Sequence, residues 1–192
     1  MGNKKWSEIS YDNHIVRSDE SRQAVLGAFL VSLGIDLERL PNNLFAPYGY
    51  FRTRQKDYHS TNKSAPLEKI YLQDIVGTSY EMYAEDNQVL YSFMKLKRIT
   101  DRILCGKLTP NKYFHMMKNP YQTPPIILSR NTDGTYFVDG NGNHRVLSYK
   151  IMMLAEIASK YDWVYSDDYD LTYKGFTDVT KKYWLYARIN ED

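Results

Sequence analysis

This chain has one cysteine, almost equal numbers of basic and acidic residues, and no long apolar run. These three features argue, in turn, against a disulfide-stabilised protein, a protein that binds polyanions through its net charge, and a membrane-spanning protein. Cys105 is the only cysteine among 192 residues, so an intrachain disulfide cannot form. The net charge of +2 is too small to predict polyanion binding by itself. No apolar run approaches the roughly 20 residues of a membrane helix. The first residues lack the apolar core of a signal peptide, so we expect a cytoplasmic protein with no membrane partner.

Tyrosine, by contrast, is abundant, with 18 copies that dominate an aromatic content of 15%. A tyrosine ring can be buried while its hydroxyl stays in water, and the alternative use is stacking on nucleic-acid bases. We favour the first use, because hydrophobic residues at 43% and charged residues at 25% are typical of a globular domain with a proper core.

The apolar periodicity predicts an α+β fold with a small mixed sheet packed by helices. Helices are predicted from Ser18 to Gly34, from about residue 87 to residue 105, and from His144 onwards. Strands are predicted near residues 69 to 76, 125 to 129, 135 to 139 and 183 to 189, with a hairpin turn over 131 to 134. We expect residues 1–66 to form a helix and loop extension, and residues 67–192 to form one compact unit.

The segment from Asp139 to Arg145, which reads Asp-Gly-Asn-Gly-Asn-His-Arg, has the pattern of an anion site. Gly140 and Gly142 can take positive φ and let a ligand approach the main chain. The helix that follows points unpaired N–H groups and the positive end of its dipole at the loop. Arg145 adds a planar fork for phosphate, and His144 adds a donor expected to be tunable near neutral pH. A phosphate or a nucleotide phosphate is the predicted ligand.

Three familiar loops fit this segment less well. A calcium loop of the EF-hand type needs glycine at His144 and glutamate at Lys150. A Walker loop needs a Gly-Lys-Ser/Thr triplet, which the chain lacks. A dinucleotide fingerprint needs a third glycine at Arg145, and only an acidic residue at the expected distance, Asp162 or Asp167, keeps that alternative open.

A longer pattern surrounds the loop: Pro124-Pro-Ile-Ile-Leu128, a turn at Asp133-Gly134, Tyr136-Phe-Val-Asp-Gly140 and Asn143-His-Arg-Val-Leu-Ser-Tyr-Lys150. The order of proline, strand, turn, strand, Asp-Gly, His-Arg and buried helix resembles the ParB/sulfiredoxin superfamily over about residues 67 to 160. The resemblance implies a nucleotide, ATP or CTP with Mg²⁺, held by Gly140, Asn143, His144 and Arg145, with Asn141 and Gly142 lengthening the family's turn.

Departures from the superfamily pattern narrow the function that the resemblance implies. Asn143 stands where sulfiredoxin has its catalytic cysteine, and too little chain follows for the DNA-binding helices of a partition protein. An NTP-dependent phosphotransferase or NTPase is therefore the leading expectation. Glu81, near Glu85 and Asp86, is our first choice of general base, with Asp139 and His144 as the other catalytic candidates. Whether the chain is an enzyme at all stays open, as do its nucleotide and its oligomeric state.

A second hypothesis is a DNA- or RNA-binding module. The segment from Tyr48 to His59 interleaves aromatic residues with Arg52, Arg54 and Lys56, which could stack bases and neutralise phosphates. A metal-dependent nuclease that uses Asp139 or Glu81 is a third. No metal site is predicted, because the other histidines are scattered without ligand spacing. The basic face of the helix at 87 to 105, which includes Arg98 and Arg102, is interpreted as solvated.

Overall fold

Six strands and five α-helices make up the described part of the chain, which in this computed structural model comprises residues 18–39, 49–54, 65–84, 88–107, 118–119, 124–161 and 176–190. The helices are α1 (Asp19–Ser32), α2 (Val89–Met94), α3 (Lys97–Leu104), α4 (Asn143–Lys160) and α5 (Thr177–Thr180). The strands are β1 (Arg52–Thr53), β2 (Leu67–Tyr71), β3 (Ile75–Thr78), β4 (Ile126–Arg130), β5 (Tyr136–Val138) and β6 (Trp184–Asn190).

The strands form one mixed sheet in the order β1-β3-β5-β4-β6-β2. Strands β1, β3 and β5 run parallel to one another, and β4 runs parallel to β6. The β4–β5 hairpin and the β2–β6 pair are antiparallel. The predicted α+β class, with a small mixed sheet packed by helices, is confirmed.

The prediction of a single strand at residues 69 to 76 is wrong, because a 3-10 turn at Leu72–Asp74 separates two strands, β2 and β3. The two halves lie far apart in the sheet, β2 at one edge and β3 next to the other. Side chains alternate along a strand, so an unbroken strand that buried Ile70 and Leu72 would point Ile75 outward. The turn shifts that alternation, and all three side chains are buried.

The helix expected from about 87 to 105 is likewise divided, into α2 and α3. Leu96 between them has an extended backbone conformation, with φ −75° and ψ 95°. Phe93, Leu96 and Ile99 are all at most 2% exposed. The break therefore redirects the chain so that successive apolar side chains all reach the core.

Helix α1 begins and ends where its sequence signals predict. The Ser18 hydroxyl accepts a hydrogen bond from the Ser21 N–H at 3.2 Å, and Gly34 after the helix has a φ of 89°. Leu26 and Leu30 on its inner face are fully buried, and the helix packs against α2 and α3.

Strand β1 comes from the predicted loop extension and joins the sheet beside β3, where Arg52 is paired with Gly77. A Cβ atom at Gly77 would lie 2.1 Å from the Arg52 carbonyl oxygen and 2.5 Å from a ring carbon of Phe137. Only glycine fits there, so this residue allows β1 to approach the sheet.

The core lies between one face of the sheet and the helices. Ile70, Leu128, Val138 and Leu185 on the sheet form one apolar cluster with the buried faces of α1, α2, α3 and α4. Within the described ranges, none of the helices is both long enough and apolar enough to cross a bilayer.

Candidate functional site

The candidate loop and the turn that carries Glu81 lie at the same end of the sheet, where the carboxyl ends of β3 and β5 meet. Strands β3 and β5 are parallel and end side by side, with Thr78 opposite Val138. The chain continues from β5 into the loop and α4, and from β3 into the 3-10 turn Glu81–Tyr83. The carboxyl ends of parallel strands are the usual place for ligands in sheets of this kind. The topology thus brings together two segments that are about 60 residues apart in sequence.

The first half of the loop is an extension of the β4–β5 pairing. The Asp139 N–H donates to the Ile127 carbonyl at 2.9 Å, and the Ile127 N–H donates to the Asn141 carbonyl at 3.3 Å. The chain leaves the sheet only at Gly142, where φ is 141°. Gly140 does not take positive φ, so the expectation of positive φ at both glycines is correct for Gly142 alone. Because Gly140 still pairs with a strand, it has no need of that conformation.

Gly142 is also the point of closest packing in the loop. A Cβ atom there would lie 2.8 Å from Cγ2 and 3.0 Å from Cγ1 of Ile126. Both the backbone conformation and the space therefore demand glycine. Gly142 fixes where α4 starts relative to β4.

Helix α4 begins at Asn143, one residue before the predicted start, and no side chain caps it. The N-cap residue is Gly142, which has no side chain to accept the first N–H groups. Asn143 is only 4% exposed, and its Oδ1 accepts no hydrogen bond. Buried acceptors are nearly always satisfied, so Asn143 adds to the helix start a buried carbonyl that a ligand or water donor would satisfy.

His144 is the second residue of α4 and is half-buried against Tyr83. The two ring centroids are 5.4 Å apart at an interplanar angle of 77°, an edge-on contact. Burial, together with the positive charges of Arg98 and Arg102, lowers the pKa of His144 to about 4, and burial is the largest of these causes. The expectation that His144 titrates near neutral pH is therefore wrong, because desolvation and two nearby cations disfavour its charged form. At pH 7 it presents a neutral imidazole.

Arg98 and Arg102 are site residues that the sequence interpretation missed. Both belong to α3, whose basic face was interpreted as solvated, yet their charges act on His144 at the start of α4. Arg98 is exposed and Arg102 is half-buried. Their spacing of four residues puts them on one helical face, which is the signal that could have paired them. The direction in which that face points depends on tertiary packing, which local spacing does not encode.

Arg145 has a structural partner at the start of β4. Its Nη1 donates to the Pro124 carbonyl at 2.7 Å. The guanidinium thereby ties the first turn of α4 to the residues that lead into β4. Arg145 stays a predicted phosphate ligand, but the Nη1 group of its guanidinium is already hydrogen-bonded to the main-chain carbonyl of Pro124.

Asp139 cross-links the ends of three strands. Its Oδ1 accepts from the Ser79 hydroxyl at 2.9 Å, and its Oδ2 accepts from the Asn190 amide at 3.4 Å. Ser79 follows β3 and Asn190 ends β6, so this carboxylate links both residues to the start of the loop after β5. The arrangement suits a residue that positions the loop, and its predicted catalytic role stays a prediction.

Glu81 is exposed, at the first position of its 3-10 turn. Tyr83, two residues later in the same turn, makes the contact with His144. The turn therefore lies beside the start of α4, and the Glu81 carboxylate is open to solvent there. The neighbouring candidates Glu85 and Asp86 lie outside the described residues.

The two described arginines of the predicted nucleic-acid segment reach a different part of the sheet. Arg54 Nη1 donates to Asn131 Oδ1 at 2.7 Å, in the β4–β5 turn. Arg52 lies 5.1 Å from the centroid of the Tyr50 ring, and its charge acts on Asp133 in that same turn. The pKa of Asp133 is lowered mainly by hydrogen bonds from Thr135 and slightly by Arg52. Lys56 lies outside the described residues.

No group of three or more histidine, cysteine, aspartate or glutamate side chains that could hold a metal ion occurs in the described ranges. Comparison with known proteins adds no relative: no family model matches the chain, and neither a curated protein nor a solved structure is significantly similar to it.

Proposed function

We propose that this chain is a ParB/sulfiredoxin-like protein that binds the phosphate groups of a nucleotide, ATP or CTP with Mg²⁺, at the loop from Asp139 to Arg145. The observation that carries the proposal is the start of α4. It is a helix N-terminus with no side-chain cap, at the carboxyl ends of two parallel strands, with two arginines of α3 close by. These features favour a negatively charged ligand.

The charges around the helix start support an anion rather than a cation. The first turn of an 18-residue helix carries the positive end of its dipole. Arg98 and Arg102 are near enough to affect the pKa of His144. An anion at the helix start would therefore lie in the positive potential of both arginines. A neutral His144 can donate to a phosphate oxygen without adding a positive charge.

Asn143 supports a ligand that also carries hydrogen-bond donors. Its buried Oδ1 is an acceptor, so it does not suit a phosphate oxygen. It suits a hydroxyl or amine donor, and a nucleotide supplies these on its ribose and base. Inorganic phosphate at pH 7 supplies few donors, so a nucleotide satisfies this position better.

The reaction we expect is hydrolysis or transfer of a phosphoryl group, with the exposed Glu81 as general base. A positioned carboxylate of this kind contributes roughly 10²- to 10⁴-fold in rate. Mg²⁺, when bound with the nucleotide, would screen the phosphate charge, held by phosphate oxygens together with Asp139. A Glu81→Gln variant should bind nucleotide normally and lose turnover.

Isothermal titration calorimetry tests the binding step. Wild type is titrated with Mg·ATP and Mg·CTP, beside an Arg98→Ala/Arg102→Ala variant and an Arg52→Ala/Arg54→Ala control. The control also removes two positive charges, but it removes them near the β4–β5 turn and not near the start of α4. A hydrogen bond to a charged group is worth about 1.5 to 3 kcal/mol, so loss of one contact should weaken binding at least tenfold.

The calorimetric outcomes separate clearly. Weaker binding in the Arg98/Arg102 variant with unchanged binding in the control supports the proposal. No binding of either nucleotide by folded wild type, or equal loss in both variants, contradicts it. Circular dichroism on each variant establishes that the fold is retained.

A further inference from the structure

The sheet face opposite the core carries aromatic and basic side chains on β2 and β6. Residues that point into the core, such as Ile70 and Leu185, alternate along these strands with residues that point away from it. We call the aromatic–lysine patch the outward residues Lys69, Tyr71, Trp184 and Tyr186 of these strands together with Lys118, whose ammonium lies over the Trp184 ring. Lys69 is exposed, and the other four are half-buried.

The antiparallel register places these side chains next to one another. Tyr71 is opposite Trp184, and Lys69 is opposite Tyr186. The Lys69 Nζ lies 5.1 Å from the Tyr71 ring centroid and 4.7 Å from that of Trp184. Trp184 and Tyr186 meet edge to face with ring centroids 5.4 Å apart. The rings and the first lysine thus form a continuous surface.

A second lysine approaches the same indole. The Lys118 Nζ also lies 4.7 Å from the Trp184 ring centroid. Burial lowers the pKa of Lys118, and the positive charge of Lys69 lowers it further. Two ammonium groups at one ring repel each other, and an anion between them would relieve that repulsion.

No carboxylate of the described residues neutralises Lys69. Its sequence neighbour Glu68 points to the other face of the sheet and forms an ion pair with Arg130 at 3.0 Å. The positive charge of Lys69 is therefore available to an external anion.

We infer that the aromatic–lysine patch binds single-stranded nucleic acid, with bases stacked on Trp184 and Tyr186 and phosphates at Lys69 and Lys118. Interleaved rings and cations are what such ligands need, because each nucleotide presents both a flat base and a charge. In a duplex the bases are stacked on each other, so their faces cannot reach the rings. This surface is distinct from the one near Arg52 and Arg54 and independent of the nucleotide site.

The lysine–ring contacts do not prevent such binding. A charge-assisted hydrogen bond to phosphate is stronger than a cation–π contact that water can still reach. An arriving phosphate therefore draws the ammonium off the ring, and the ring face becomes open to a base.

Fluorescence anisotropy with a labelled 20-nucleotide oligothymidine, measured at several salt concentrations, tests the inference. A Lys69→Ala/Lys118→Ala variant should bind at least tenfold more weakly at low salt. The slope of log K against log salt should fall by about 1.4, since each phosphate contact on a single strand contributes about 0.7. The matched control is Lys95→Ala/Lys107→Ala, which removes two exposed lysines near α2 and α3 and should match wild type.

Stacking is tested separately with Trp184. Trp184→Ala should weaken binding roughly 5- to 150-fold with an unchanged salt slope, because base–ring stacking is worth about 1 to 3 kcal/mol. Trp184→Phe keeps a ring in place and should bind within a few-fold of wild type, which distinguishes lost stacking from a damaged fold.

Several results would overturn the inference. These are no binding by wild type at tens of micromolar protein, equal loss in the Lys95/Lys107 control, duplex binding as tight as that of the single strand, and equally effective competition by polyglutamate. The last would point to an acidic protein as the partner. Nucleotide affinity measured on the Lys69/Lys118 variant should be unchanged, so failure here is distinguishable from failure of the proposed nucleotide site.

Discussion

Replacing Gly142 by alanine perturbs the one residue that sets the start of α4 against β4. Alanine at a φ of 141° is strained, which costs on the order of 1 to 3 kcal/mol. Its methyl group would also lie 2.8 Å from Cγ2 of Ile126, and forcing an extra carbon into a packed site costs roughly 1 to 3 kcal/mol more. We therefore expect Gly142→Ala to lower the free energy of unfolding by about 2 to 6 kcal/mol.

Gly134→Ala is the matched control, because it separates backbone strain from packing. Gly134 also has positive φ, 83°, but a Cβ atom there would have no neighbour within 4 Å. It should lose only the strain contribution. The difference between the two variants, about 1 to 3 kcal/mol, then reports the contact with Ile126 together with the greater strain at the φ of 141°.

Urea unfolding at pH 7.5, followed by circular dichroism, gives both values. The double variant Gly142→Ala/Ile126→Ala adds a cycle, since a smaller residue 126 removes the close Cγ atoms. A favourable coupling of about 1 kcal/mol or more is expected for residues in contact. Should Gly142→Ala prove no more costly than Gly134→Ala, or the cycle show no coupling, the packing of this loop on β4 would be refuted.

Three further predictions concern ionisable groups that the fold buries wholly or in part. The pKa of His144 is near 6.5 in the unfolded chain and about 4 in the folded chain, so the unfolded chain binds a proton first as the pH falls. Acidification from pH 7.5 to pH 5 should therefore lower the free energy of unfolding of wild type by about 2 kcal/mol, and a His144→Gln variant should not show this loss. Equal pH dependence in wild type and variant would contradict the buried imidazole. Burial lowers the pKa of Lys150 to about 7, while the charge of Asp74 opposes that shift, so stability should rise by about 2 kcal/mol from pH 7 to pH 9 in wild type and stay flat in Lys150→Met. Asp139→Asn weakens the hydrogen bonds to Ser79 and Asn190, so it should lower the free energy of unfolding by about 1 to 2 kcal/mol and weaken nucleotide binding without a change in its salt dependence. A variant as stable as wild type would show that this carboxylate does not stabilise the loop.

The loop and its helix could be predicted from sequence because their determinants are local. The hairpin turn, the two apolar strands, Gly142 and the apolar period after His144 all act on near neighbours in the chain. The structure moves the start of α4 by one residue and leaves its identity as a long, mostly buried helix unchanged.

The order of the strands could not be predicted in the same way. β2 and β3 are separated by three residues yet lie at opposite sides of the sheet. β1 can pair with β3 because Gly77 has no Cβ atom. The need for glycine at this position arises only in the folded protein, where Phe137 and Arg52 lie beside it. Such contacts are long-range, and no local pattern encodes them.

The electrostatics of the site were missed for a related reason. The spacing of His144 and Arg145 predicts a ligand group, but burial beside Tyr83 and the approach of α3 decide the charge state of His144. Arg98 and Arg102 look like ordinary surface residues until α3 is packed against the rest of the fold.

The most direct test of the central claim is an NMR titration of ¹⁵N-labelled protein with Mg·ATP, Mg·CTP and, separately, inorganic tripolyphosphate. Binding at the start of α4 predicts saturable shifts of the backbone amide signals of Asn143 and His144, because those N–H groups would point at the phosphate. Amides of the first turn that stay unmoved at saturating ligand, or shifts confined to the β4–β5 turn, would contradict it.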